Sequence, residues 1–136
     1  MMGWKLPAFG VFLAWGLWSF VPKLTVRYID PRSAAVYESL GALLVALGIC
    51  FSLQFRLQVQ PTGIALATAT GVLGLLGALS FLIAVARGPV SLVTILSALY
   101  PALTVCLAVI FLGETITLRQ GCGMALALIS MVLIVG

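Results

Sequence analysis

The sequence predicts an all-α membrane protein built from five transmembrane helices. Three observations carry that prediction. Of 136 residues, 63% are hydrophobic and 7% charged, against roughly a quarter charged in a soluble domain, and the mean hydropathy is +1.29. The apolar residues fall into five runs, at about 6–21, 32–53, 64–86, 90–112 and 118–136, and a spanning helix needs about 20 such residues. The seven basic residues stand singly at the ends of those runs, where interfacial anchors belong. The net charge of +4 therefore forms no cluster suited to nucleic acid, and the lipid bilayer is the expected surroundings. Residues 1–136 read as one transmembrane domain.

The first run follows Lys5 and stops at "PK". It ends in "WGLWSFVPKL" without a small-residue cleavage site and further runs follow, so it reads as a retained span rather than a cleaved leader. The second opens at "DPRS", where Asp30 can cap the helix and Pro31 can take its first position. "QFRLQVQPTG" makes the longest loop before the third run, Ile64 to Ala86, and "RGP" turns that run directly into the fourth, which ends at Gly113. In "GETITLRQ", Thr117 and Gln120 have the spacing of a capping box for the fifth run, which closes at Gly136. Glu114, just after Gly113, reads as a structural cap that accepts from free amides and favours the positive end of the next helix.

Lys and Arg in short loops set orientation. One side holds Lys5, Arg56 and Arg119, and the other Lys23, Arg27, Arg32 and Arg87. Three against four is nearly a tie, which permits insertion both ways; two oppositely inserted copies would then form an inverted repeat. If Lys5 lies too near the terminus to count, four against two gives one fixed orientation.

Glu38 is the acid that stands inside a span. Counting from Pro31 at 1.5 Å per residue places it about 10 Å below the interface. A carboxylate at that depth costs several kcal/mol unless it faces a partner or an aqueous cavity. Two readings stand, a functional site or an ion pair with Lys23 or Arg87. Trp15, seven residues before Pro22, Ser80, seven before Arg87, and Ser97, eight after Pro89, fall at about the same depth. An indole, a carboxylate and two hydroxyls in one layer suit a ligand pocket; equally, both serines can bond back to their own helices. In the fourth run Pro101 has no amide to offer the Ser97 carbonyl, so a kink is expected near the midplane. Tyr100 beside it needs a hydroxyl partner when buried. Such a break marks solute sites in some carriers, and elsewhere it is a harmless bend.

No enzyme chemistry is legible. The chain has no histidine, so no Ser-His or Cys-His pairing, and the three cysteines are scattered singly without metal or disulfide spacing. "GVLGLLG" lacks the preceding strand that a dinucleotide fingerprint requires. No metal, cofactor or nucleic acid is expected.

"AWGLWSFVPKL", "YIDPRSAAVYESLGALLVAL" and above all "ARGPVSLVTILSALYPALTVCLAVIFLGETITLRQGCGMAL" resemble the EamA-like transporters of the drug/metabolite transporter superfamily, in their half-size form. The likeness lies in the Gly-Pro turn, the proline-bearing helix, the Leu-Gly-Glu stretch and the glycine-bearing last helix, and it covers nearly the whole chain. It implies two inverted five-span repeats around a central cavity, with alternating access moving small metabolites, amino acids or drug-like amphiphiles. This chain supplies one repeat, so the resemblance implies either two copies paired antiparallel, as the charge count allows, or a second gene product that supplies the other half. The four-span small multidrug resistance proteins, distant relatives, carry their essential acid in the first span; here the first span has none, so their mechanism does not transfer directly.

The expectation is a secondary-active carrier in the cell (inner) membrane, with Trp15, Glu38, Ser80, Ser97 and Tyr100 touching a small-molecule solute and Glu38 as the protonation site. A non-transporting membrane subunit that needs a partner half, and a passive channel, are the alternatives.

Overall fold

A computed structural model describes residues 5–135, and every regular element among them is an α-helix. These are α1 (Lys5–Thr25), α2 (Pro31–Ser52), α3 (Pro61–Arg87), α4 (Val90–Ser97), α5 (Tyr100–Leu112) and α6 (Leu118–Val135). Gly136, the expected end of the fifth run, and the side chain of Lys5 lie outside the described residues. Four stretches are long and apolar enough to cross a membrane: Leu6–Thr25, Pro31–Ser52, Pro61–Arg87 and Val90–Leu112. The apolar helix Leu118–Ile134 is shorter. At 18 residues α6 is about 27 Å long, close to the about 30 Å of a hydrocarbon core.

The boundaries differ from the sequence reading in three places, each for a stated reason. α1 continues through Pro22 to Thr25; proline is tolerated in spanning helices, and here it is fully buried. α3 begins at Pro61, three residues earlier than the apolar run, because Pro61 is preset for a first helical turn. The fourth run is two helices separated at Ala98 and Leu99. Pro101 has no amide for the Ser97 carbonyl, and the amides of Leu99 and Ala102 close i−3 bonds on Leu96 and Leu99 at 3.2 and 3.0 Å instead.

The helix starts and stops follow local chemistry. Asp30 accepts from the amides of Arg32 and Ser33 at 2.9 and 3.1 Å and from the Ser33 hydroxyl, with Pro31 as the first helical residue. The capping box of α6 is formed: Gln120 Oε1 accepts from the Thr117 amide at 2.9 Å, and Thr117 Oγ1 from the Gln120 amide at 3.3 Å. Gly113 ends α5 with φ +67°, a left-handed conformation that costs a residue with a Cβ about 1–2 kcal/mol.

The chain divides into two compact units, one ending at Arg87 and one beginning at Gly88. In the first, α3 packs against both α2 and α1. Its core is Ala34 and Ala35 of α2 with Leu82 of α3, flanked by Val26 and Leu79. The start of α2 thus meets the end of α3, which fixes the pair as antiparallel. Lys23 Nζ donates to the Val85 carbonyl at 2.6 Å, a cation on the negative end of α3. In the second unit α4 packs on α6.

Candidate functional site

The first unit is tightly closed at one end and open further in. Small residues explain why. Ala34 and Ala35 let α2 and α3 approach closely, while deeper along α3 a Cβ added at Gly71 or Gly74 would meet nothing within 4 Å. The result is an open-sided cavity of about 450 Å³ lined by Trp18 of α1, Glu38, Ser39 and Ala42 of α2, and Gly71, Gly74, Leu75 and Ala78 of α3. That volume falls within the range of small-molecule sites.

Glu38 is half-buried, and no side chain or backbone group among the described residues hydrogen-bonds or pairs with its carboxylate. Of its two sequence candidates for an ion pair, Lys23 reaches the Val85 carbonyl and Arg87 is exposed at the end of α3. Ser39, the cavity's hydroxyl, donates to the Ala35 carbonyl at 2.8 Å and keeps its lone pairs as acceptors. Trp18 is held by Phe81, whose ring lies 5.3 Å away at 33°. Trp18 stands seven residues from the end of α1 and Glu38 seven from the start of α2, so both lie about 10 Å from their helix ends. Pro22 gives no amide to the Trp18 carbonyl four residues back. An indole face, an unpaired carboxylate and a helix carbonyl without its usual donor therefore belong to one short stretch of the unit.

The other sequence candidates are placed as follows. Trp15 is 55% exposed, one turn from Trp18 on α1, and does not line the cavity. Ser80 donates to the Leu76 carbonyl at 2.8 Å and is exposed. In the second unit Ser97, the last residue of α4, donates to the Val93 carbonyl at 2.7 Å. Tyr100 and Pro101 open α5 directly after the break. Pro101 also lines a cleft of about 220 Å³ between Ala98–Val105 and the apolar residues Met124, Ala127, Leu128 and Met131 of α6. Glu114 is exposed, and its amide closes the end of α5 on the Ala108 carbonyl at 3.3 Å.

Trp18, Ser39, Ala42, Gly71 and Gly74 were not singled out as a wall by the sequence. One signal was available for Trp18. Its depth follows once α1 is allowed to run past Pro22: moving the reference point from Pro22 to Thr25 moves the position seven residues in from residue 15 to residue 18.

The apolar spans describe a membrane protein. The profile of the EamA-like transporter family matches residues 2–136. The chain belongs to that family. It is accordingly an integral membrane protein and a membrane transporter of the drug/metabolite superfamily, and its length and helices fit a half-size member. It is 38% identical over 124 residues to the uncharacterized protein MJ1333.1 of Methanocaldococcus jannaschii, covering 91% of this chain and 90% of that protein. No solved structure matches.

Proposed function

We propose that this EamA-like protein is a secondary-active carrier in which Glu38 takes up either a proton or the positive charge of a solute. The observation that carries the reading is the half-buried Glu38 carboxylate, without a protein partner, on the wall of a 450 Å³ cavity beside the Trp18 indole. A carboxylate removed from water needs neutralising by a proton or a cation. Two ligands that compete for one group cannot both stay bound, and that exclusivity is what couples two fluxes. The indole favours a cation through its face, and the apolar remainder of the wall favours carbon. The solute class is therefore a cationic or zwitterionic amphiphile, which includes amino acids and drug-like molecules.

Trp15, one turn from Trp18, and Ser97 and Tyr100, flanking the break in the second unit, are proposed as further solute contacts. Ser80 and Ser97 each donate their hydroxyl to their own helix, at Leu76 and Val93, so toward a solute each is left as an acceptor. The working form is a homodimer of oppositely inserted copies in the cell (inner) membrane. Its support is the near balance of Lys5, Arg56 and Arg119 against Lys23, Arg27, Arg32 and Arg87, and the inverted repeats that carriers use.

The experiment is uptake of ethidium, a flat organic cation, by proteoliposomes with an imposed proton gradient. Gradient-dependent, saturable flux is expected, with the dependence lost in Glu38→Gln. Flux that ignores the gradient, or that survives unchanged in Glu38→Gln, would defeat the coupling role. No flux at all across a panel of solutes would turn the reading toward a non-transporting subunit.

A further inference from the structure

Between α2 and α3 the chain alternates apolar and polar residues: Leu53, Phe55, Leu57 and Val59 against Gln54, Arg56, Gln58 and Gln60. A period of two presents one apolar and one polar face wherever the backbone is extended. Residues 56–60 form no helix, turn or strand, and the apolar members have no protein cover: Phe55 is 62%, Leu57 56% and Val59 82% exposed.

Both ends of the stretch are fixed. Gln54 and Phe55 have φ of 51° and 58°, a region uncommon for an aromatic residue, and the Phe55 amide donates to the Cys50 carbonyl at 2.9 Å. The chain is thereby turned off the end of α2, with the Phe55 ring meeting Phe51 edge-on at 5.1 Å. At the far end the Gln60 side chain accepts from the Gly63 amide, and its carbonyl accepts from Ile64 at 3.0 Å. Exposed apolar side chains are thus held between the ends of two spanning helices, which is the level of the membrane–water interface, and beyond the turn at Gln54 and Phe55 the alternation sets Leu57 and Val59 apart from Gln58.

We propose that residues 51–59 are an in-plane lipid anchor. Phe51, Phe55, Leu57 and Val59 sink into the boundary between headgroups and acyl chains, Gln54 and Gln58 face water, and Arg56 pairs with lipid phosphate. Apolar burial plus one charge contact is the chemistry by which amphipathic segments hold an interface. Because α2 and α3 line the Glu38 cavity, the anchor fixes the depth of that cavity in the bilayer. The inference holds whether or not the protein moves ethidium.

The test places an environment-sensitive nitrobenzoxadiazole label at single cysteines, Leu57→Cys, Gln58→Cys and Val59→Cys, in a chain whose Cys50, Cys106 and Cys122 are replaced by alanine. In phosphatidylcholine–phosphatidylglycerol vesicles the labels at 57 and 59 are expected to be quenched by nitroxide lipids, most strongly by a nitroxide about 5–10 Å below the surface. Iodide from the water should quench the label at 58 at least about twofold more than its neighbours. Equal iodide quenching at all three sites would overturn the anchor. So would protection at 57 and 59 that disappears when the protein is diluted in lipid, since a second copy would then be the cover. Should the cysteine-free chain fail to fold, radical footprinting of the wild-type chain in nanodiscs gives the same decision. Phe51 and Phe55 are expected to be shielded, and oxidation of both at the rate of a water-exposed peptide would overturn the proposal.

Discussion

At the residue scale, the proposed carrier divides the work at the site between Glu38 and Trp18, which line one cavity. Glu38→Gln keeps the shape of the side chain and removes its charge, so the cavity should persist while gradient-driven uptake falls to the protein-free background. In the proposed site Trp18 would act through its face, which predicts that Trp18→Phe retains part of ethidium binding and Trp18→Ala loses it. The alanine variant also gives up the pairing with Phe81, worth about 0.5–1.5 kcal/mol, and a thermal melt in detergent separates that loss from the binding loss. Away from the cavity, Asp30 gives a pH dependence with a definite sign. The Ser33 hydroxyl, then the Ser33 amide, hold its carboxyl below the ordinary range. A carboxyl with a depressed folded-state value stabilises the fold above the unfolded value of about 3.9, and the contribution is lost as pH falls below it. Melts from pH 7 to pH 3 should therefore show Asp30→Asn narrowing the acid-induced drop of the wild type. The Asp30 cap was legible because its chemistry is local, a carboxylate three residues before a serine. Trp18 was not, because its depth depends on whether a helix passes through Pro22, and the sequence alone leaves that open.

At the element scale, two helices carry separable predictions. A Cβ at Gly74 meets nothing within 4 Å and Gly74 lines the cavity, so the side chain of Gly74→Leu starts into open space, and removing a glycine from a helix interior adds up to about 1 kcal/mol. The expected variant is at least as stable as the wild type, yet it fails to bind ethidium because the side chain occupies the cavity; a melt and a binding titration on one preparation check both halves. Pro101→Ala restores the amide that the Ser97 carbonyl lacks. Hydrogen exchange at residues 97–103 should slow as α4 and α5 merge, and unchanged exchange there would show that the break has another cause. The contrast between these elements explains what the sequence could convey. A proline or an Asp-Pro pair announces a break or a start by chemistry, whereas α3 is apolar on all sides, and a helix without a polar face does not declare which side meets its neighbours. Gly71, Gly74 and Ala78 were visible as small residues; that they border a void rather than a contact needed the packing of α2 on α3.

At the scale of the whole molecule, membership of the EamA-like family and the five apolar stretches agree on a membrane transporter. The proposed antiparallel pair predicts that reporters fused to the C-terminus, one active only inside the cell and one only outside, will both be active at matched expression. Activity of only one would leave a single orientation and a need for a different second half. The choice of solute rests on the proposed exchange of proton for cation at Glu38, which binding measures without a transport assay. Purified protein in weakly buffered detergent, at a pH where the apo carboxyl carries a proton, is titrated with ethidium while a pH indicator reports. About one proton should be released for each cation bound, with neither saturable binding nor release in Glu38→Gln. Ethidium bound without proton release, or released protons that persist in Glu38→Gln, would contradict it.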